Sequence, residues 1–205
     1  MESDTPANFM TNSASSLHIA TLYRFCAHSM RYPQAEWLTN QFLESFYLLL
    51  DALCAHQEKE MIHLAIASSA DPLEDLQIEY TRLFINGVPH VIAPPYGSVY
   101  IDKSLQGQHT EKTLRFYTSH GYALKEDADL PDHIIHQLEF LSLMAEKNDA
   151  ATEAEFLQTI FLPWFGRFHQ RVKQESKHPF YSVLVQLIDY LTKEEVEHGI
   201  QLDEA

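Results

Sequence analysis

Residues Glu79–Tyr100 read EYTRLFINGVPHVIAPPYGSVY. The stretch begins as the end of an amphipathic helix. It then enters a loop carrying Pro89, Pro94 and Pro95 and leaves through an aromatic-rich exit, Tyr96 to Tyr100. It is apolar and aromatic, yet Pro94-Pro95 and Gly97 forbid a helix core. Connecting loops run over the surface. A stiff, greasy loop therefore predicts a surface meant to be covered by another molecule.

Upstream, Asp71-Pro72-Leu73-Glu74 is a helix start: Asp71 caps, Pro72 suits the first turn and Glu74 completes a capping box. That helix carries Leu76, Tyr80, Leu83 and Phe84 on neighbouring turns and delivers its end into the proline loop. Further back, apolar spacing predicts helices over 16–28, from about Gln34 into the mid-50s, and around Met61, Ile62, Leu64 and Ile66. The residues before 15 read as a loose tail. Downstream, helices are predicted from Thr110 to His120 with Gly121 as the cap, and from Pro131 to about Lys147. A Thr152/Glu155 capping box opens the next, Pro163 restarts or kinks it, and Pro179 starts another that runs to Leu191. Thr192 with Glu195 begins a last short helix stopped by Gly199. No long run alternates with period two. The prediction is an all-α, bundle-like single domain of about eight to ten helices over 15–205. Residues 87–108 are its weakest joint and a candidate hinge for domain swapping, so monomer and swapped dimer both stay open.

The 205 residues hold 29 acidic and 14 basic side chains, a formal charge of −15, with 45% hydrophobic residues. This supports a proper core. It disfavours nucleic-acid backbone as a partner and favours cationic ones, although acidity also serves solubility alone. Cys26 and Cys54 have neither zinc nor disulfide spacing and read as buried free thiols of a reducing compartment. The N-terminus lacks a basic n-region and an apolar h-region. No apolar run reaches bilayer length, so a cytoplasmic protein without membrane insertion is expected.

Twelve histidines invite a metal reading. Its best case is His133-x-x-His136-x-x-Glu139, a trio on one helical face, which gives the alternative of a metal-dependent helical enzyme. Against it, Asp132 and His133 sit in a helix's first turn, where Asp132 favours the positive end of the dipole. No P-loop or Gly-rich dinucleotide motif exists, so nucleotide binding is not predicted and no cofactor is expected. Ser98 lies in no nucleophile elbow and reads as a cap, although Ser98 and His133 meeting in space would open a hydrolase reading. Tyr96, between Pro95 and Gly97, offers apolar contact area at small entropy cost, a trait of recognition surfaces.

Tyr80, Arg82-Leu83-Phe84, Pro94-Pro95-Tyr96, Ser98-Val99-Tyr100 and Asp102 together resemble the signature loop of the TorD/DmsD/NarJ family of redox-enzyme maturation chaperones. Pro131-Asp132-His133, continuing into Leu138-Glu139-Phe140, resembles the family's second motif, and Leu162-Pro163-Trp164-Phe165 a third. The resemblance implies a non-enzymatic, all-helical chaperone. Such a protein binds the twin-arginine leader of a molybdenum-containing oxidoreductase, and sometimes its core, and holds back export until the cofactor is in place. It implies a peptide-binding surface of Tyr80, Leu83, Phe84, Pro95, Tyr96, Asp132 and His133, supported by Arg82, Ser98, Tyr100 and Asp102. The chain departs from the pattern where Ile85-Asn86-Gly87-Val88-Pro89 replaces a direct Gly-Pro, and in carrying tyrosines where some relatives have tryptophan, which points to a different leader preference. Apolar contacts are expected to set affinity, and Asp132 orientation and on-rate.

Overall fold

A computed structural model describes residues 7–87 and 90–203. The described residues are all-α, as the periodicity predicts: α1 (Ala7–Ser29), α2 (Asn40–Ala52), α3 (His56–Ser68), α4 (Pro72–Tyr80), α5 (Gly97–Ile101), α6 (Gln108–Ser119), α7 (Ile134–Glu146), α8 (Ala150–Phe156), α9 (Leu162–Glu175) and α10 (Pro179–Asp203). A 3₁₀ turn, Ala35–Leu38, precedes α2, and wide π turns, Thr81–Ile85 and Leu157–Phe161, continue α4 and α8. The extended pairing among them is an isolated antiparallel bridge between Tyr96 and His133.

Several boundaries differ from the sequence reading, each for a local reason. Of the expected tail, residues 1–6 lie outside the described ones, and from Ala7 the chain is already in α1. Thr39 is extended at ψ 149° and its hydroxyl donates to the Glu36 carbonyl at 2.6 Å, which separates the 3₁₀ turn from α2. Asp149, not Thr152, caps α8, accepting the Thr152 N–H at 3.2 Å. Thr192 starts no new helix and Gly199 ends none, because α10 runs through both. Cys54 is exposed. It occupies the left-handed position after α2 at φ 56°, where Ala55 N–H reaches back to the Leu50 carbonyl at 2.8 Å. This geometry closes the helix by turning the side chain outward. Gly121, at φ 69°, closes α6 as expected.

The chain divides into two compact units, residues 1–30, 96–165 and 190–205 in one, and 31–95 with 166–189 in the other. In the first, α1 packs on α7: the Ser142 hydroxyl donates to the Ala20 carbonyl at 2.9 Å, and Arg24 pairs with Glu146 at the rim. Phe116, Tyr117, Tyr122, Phe140 and Phe156 interlock there as one ring cluster. In the second, Trp37 stacks on Phe42 at 5.2 Å and Phe180 closes over Phe46. Edge-to-face geometry adds about 0.5–1.5 kcal/mol per pair to the burial term. No described helix is long and apolar enough to cross a membrane.

Candidate functional site

The predicted site residues divide between the two units. Tyr80, Leu83, Phe84 and Pro95 belong to the second. There Tyr80 is 7% exposed, Leu83 0% and Phe84 5%. Phe84 packs on Tyr80, Phe168 and Tyr181, and the Leu83 carbonyl accepts the Ala93 N–H at 2.7 Å, which ties the returning loop to the π turn. Pro95 is buried. Arg82, expected to support the loop, has a defined task. Its guanidinium holds the buried Glu79 carboxylate through two bonds, 2.7 and 2.9 Å, and donates to the Glu175 carbonyl at 2.6 Å. Glu79 also accepts the Lys177 and His178 N–H groups that lead into α10, at 2.5 and 3.2 Å. Burial alone would raise the Glu79 pKa, but these donors outweigh it and hold the carboxyl below its ordinary range.

The remaining predicted residues converge in the first unit. Gly97 N–H donates to the Asp132 carbonyl at 3.0 Å, and Ser98 N–H donates to Asp132 Oδ2 at 2.7 Å. The two N–H groups that open α5 therefore end on one residue beside the start of α7. His133 is the N-cap of α7, with Nδ1 accepting Ile135 N–H at 3.2 Å. The helix thus begins three residues later than Pro131 because the Pro-Asp pair makes the preceding turn. Tyr96 bridges His133, and the two rings meet edge to face at 4.8 Å. The Tyr96 hydroxyl donates to Asp129 Oδ2 at 2.8 Å. Tyr100 stacks on Trp164 at 5.7 Å, and Asp102 Oδ2 accepts His109 N–H at 2.8 Å.

Burial sorts this group. Asp132 is 0% and His133 6% exposed, whereas Tyr96 is half-buried and Asp129 exposed. Exposed Glu126, Asp127 and Asp129 form an acidic stretch on the chain leading to Asp132. The half-open ring of Tyr96 is thus tied directly to a solvent-facing carboxylate. Ser98 lies inside α5 and caps nothing; its backbone, not its hydroxyl, makes the contact with Asp132.

The trio of the metal reading does not converge. His133 Nδ1 is used by the helix cap, and His136 Nδ1 faces Glu139 at 3.3 Å. Among the described residues, no group of three potential ligands is placed to share an ion.

Sequence reasoning missed His109, Gln137 and Asp129. A Cβ on Gly97 would lie 2.5 Å from the His109 ring and 3.1 Å from Trp164 Cδ1, and Trp164 Nε1 donates to Gln137 at 3.0 Å. Burial keeps the His109 pKa low although Asp132 and Asp102 pull it upward. Only Asp129 had a signal in the sequence, the density of acids before Pro131.

Comparison with known proteins places this geometry in context. A family model described as the nitrate reductase delta subunit matches residues 39–170. The chaperone protein TorD of Actinobacillus succinogenes is 29% identical over 126 residues, covering 60% of this chain and 64% of the relative. TorD of Vibrio parahaemolyticus is 24% identical over 180 residues, covering 75% and 83%. The chain thus spans just under two thirds of the length, 64%, of the first curated relatives it matches. A crystal structure described as a redox enzyme maturation protein from Archaeoglobus fulgidus superposes with a TM-score of 0.58 at 26% identity, covering 85% of this chain and 91% of that one.

Proposed function

The chain belongs to the nitrate reductase delta subunit family, and on that premise we propose that it is a cytoplasmic chaperone in the maturation of an oxidoreductase. It binds the twin-arginine leader of a molybdenum-containing client while the client folds and receives its cofactor. Relatives named as chaperones and a structural neighbour named for redox enzyme maturation support the role. The fine reading is carried by one observation, the half-open Tyr96 ring hydrogen-bonded to exposed Asp129.

A twin-arginine leader joins a cationic n-region to an apolar h-region. Tyr96, with half-buried Leu130 and Pro131 following its partner Asp129 in sequence, supplies the apolar contact. Glu126, Asp127 and Asp129 supply the negative field. Exposed charge pairs contribute about 0–1 kcal/mol each, whereas burying one large apolar side chain contributes roughly 1.5–3 kcal/mol. Apolar contact therefore sets affinity and the acids set on-rate. Tyr80, Leu83 and Phe84 act in this reading by holding the second unit's core and the ends of its proline loop.

The test is a fluorescence titration with a synthetic peptide carrying paired arginines and a leucine-rich apolar stretch, at low and high salt. Binding that weakens moderately with salt supports the proposal; no saturable binding at either salt refutes it.

A further inference from the structure

We propose that Asp132 and His109 are positioning residues: acting through the backbone of Gly97 and Ser98, they fix the orientation in which Tyr96 meets the client peptide, and neither touches that peptide. This assignment rests on the reading of the Tyr96 face as a peptide-binding surface.

Asp132 carries the one carboxylate of the Pro131-Asp132-His133 turn, yet its side chain is 0% exposed. An arginine of a docked peptide therefore does not reach that carboxylate unless the chain around it moves. What Asp132 does instead is bind the chain. Its main-chain oxygen takes Gly97 N–H at 3.0 Å and its Oδ2 takes Ser98 N–H at 2.7 Å. A carboxylate accepting a backbone N–H is among the stronger hydrogen bonds, and the alternative, a buried carboxylate with no donor, is costly.

His109 closes the other side. Its ring, 5% exposed, fills the space a Cβ on Gly97 would need. Its own N–H is held by Asp102 at 2.8 Å, so the segment between α5 and α6 returns to the same point. Gly97 is caught between Asp132 on one flank and the His109 and Trp164 rings on the other. Tyr96 directly precedes it. The bridge to His133, the edge-to-face contact at 4.8 Å and the hydroxyl bond to Asp129 then leave Tyr96 a single orientation. A pre-set aromatic ring binds without a further ordering cost.

The arrangement also supplies its own discriminating variant. Among the described residues, Asp132 Oδ1 makes no hydrogen bond, and neither do the buried Ser98 Oγ and His109 Nε2. Asn in place of Asp132 keeps one oxygen for Ser98 N–H and puts its amide on the side where nothing is lost. Asp132→Asn thus removes the charge and keeps the clamp, while Asp132→Ala removes both.

The experiment measures two quantities on the full chain: amide hydrogen exchange at Gly97 and Ser98, and affinity for the paired-arginine peptide. Asp132→Asn is expected to leave both within about threefold of the wild type, a difference smaller than the loss of one hydrogen bond. Asp132→Ala and Gly97→Ala are expected to speed exchange at Ser98 about tenfold or more and to weaken binding in parallel, while amides of α7 near Met144 keep their protection. Should Asp132→Ala fail to fold, Asp132→Asn decides. Lost affinity with Ser98 still protected means that the charge itself meets the peptide, and overturns the proposal. Lost protection with affinity intact overturns it too. A wild type that never binds the peptide is a separate result, which removes the peptide-binding reading and this assignment with it.

Discussion

Glu153 offers a quantitative test of the first unit's interior. Its side chain is buried, Oε1 makes no hydrogen bond among the described residues, and its pKa is raised from 4.5 to about 8. Burial is the main cause, and Glu195 and Asp149 add to it; the Tyr23 hydroxyl favours the ionised form and offsets only part. The unfolded chain ionises this acid near 4.5 and the folded chain near 8. Between those values the folded state binds more protons, so stability falls as pH rises and levels off above the folded value. Each tenfold in proton affinity is worth about 1.4 kcal/mol, which sets the full cost at roughly 4–5 kcal/mol. Glu153→Gln removes the titration while keeping shape. Urea unfolding from pH 5 to 8.5 should show wild-type stability declining across the range by several kcal/mol more than the variant's. Wild-type and variant curves that run parallel over that range would show that Glu153 keeps an ordinary pKa, and would refute the reasoning.

Three further outcomes follow from the same geometry. Glu79→Ala strips the partner from half-buried Arg82 and the acceptor from the Lys177 and His178 N–H groups, so urea denaturation should show a loss of about 2–3 kcal/mol. Since the Glu79 carboxyl is held below its ordinary range, its contribution is present near neutral pH and is lost as pH falls through that lowered value. Gly97→Ala forces a Cβ against the His109 ring and should cost about 1–3 kcal/mol by thermal denaturation. Cys54→Gly relieves a left-handed backbone and should raise stability by about 0.5–1 kcal/mol in the same assay.

The fold class was legible because helix periodicity and punctuation agree along most of the chain. Asp71 caps α4 as written, accepting Glu74 N–H at 3.0 Å, and Gly121 closes α6. The misreadings arise where a side chain has two local uses. Thr152 fits a capping box, but Asp149 accepts Thr152's own N–H and starts the helix three residues earlier. Thr192 looks like a start, yet it is 0% exposed inside α10, where packing overrides its capping preference. Cys54 follows an apolar pattern but is the residue after the helix, which decides its exposure.

At the site, the motifs named the residues without distinguishing their tasks. Of the seven residues expected to form the peptide-binding surface, Tyr80, Leu83, Phe84, Pro95, Asp132 and His133 are buried and Tyr96 is half-buried. Which member of an aromatic-acid cluster faces solvent depends on contacts between segments far apart in sequence, such as Ser98 with Asp132. His109 carried no signal at all, because its role is to fill space beside a glycine.

The most direct measurement is the affinity of wild type and Tyr96→Ala for the paired-arginine peptide by fluorescence titration, with folding checked by circular dichroism. Loss of one buried aromatic contact should weaken binding at least about tenfold, matching the roughly 1.5–3 kcal/mol of its burial, with the helical spectrum unchanged. Equal affinities for the two proteins would contradict the assignment of the Tyr96 face as the client-binding surface.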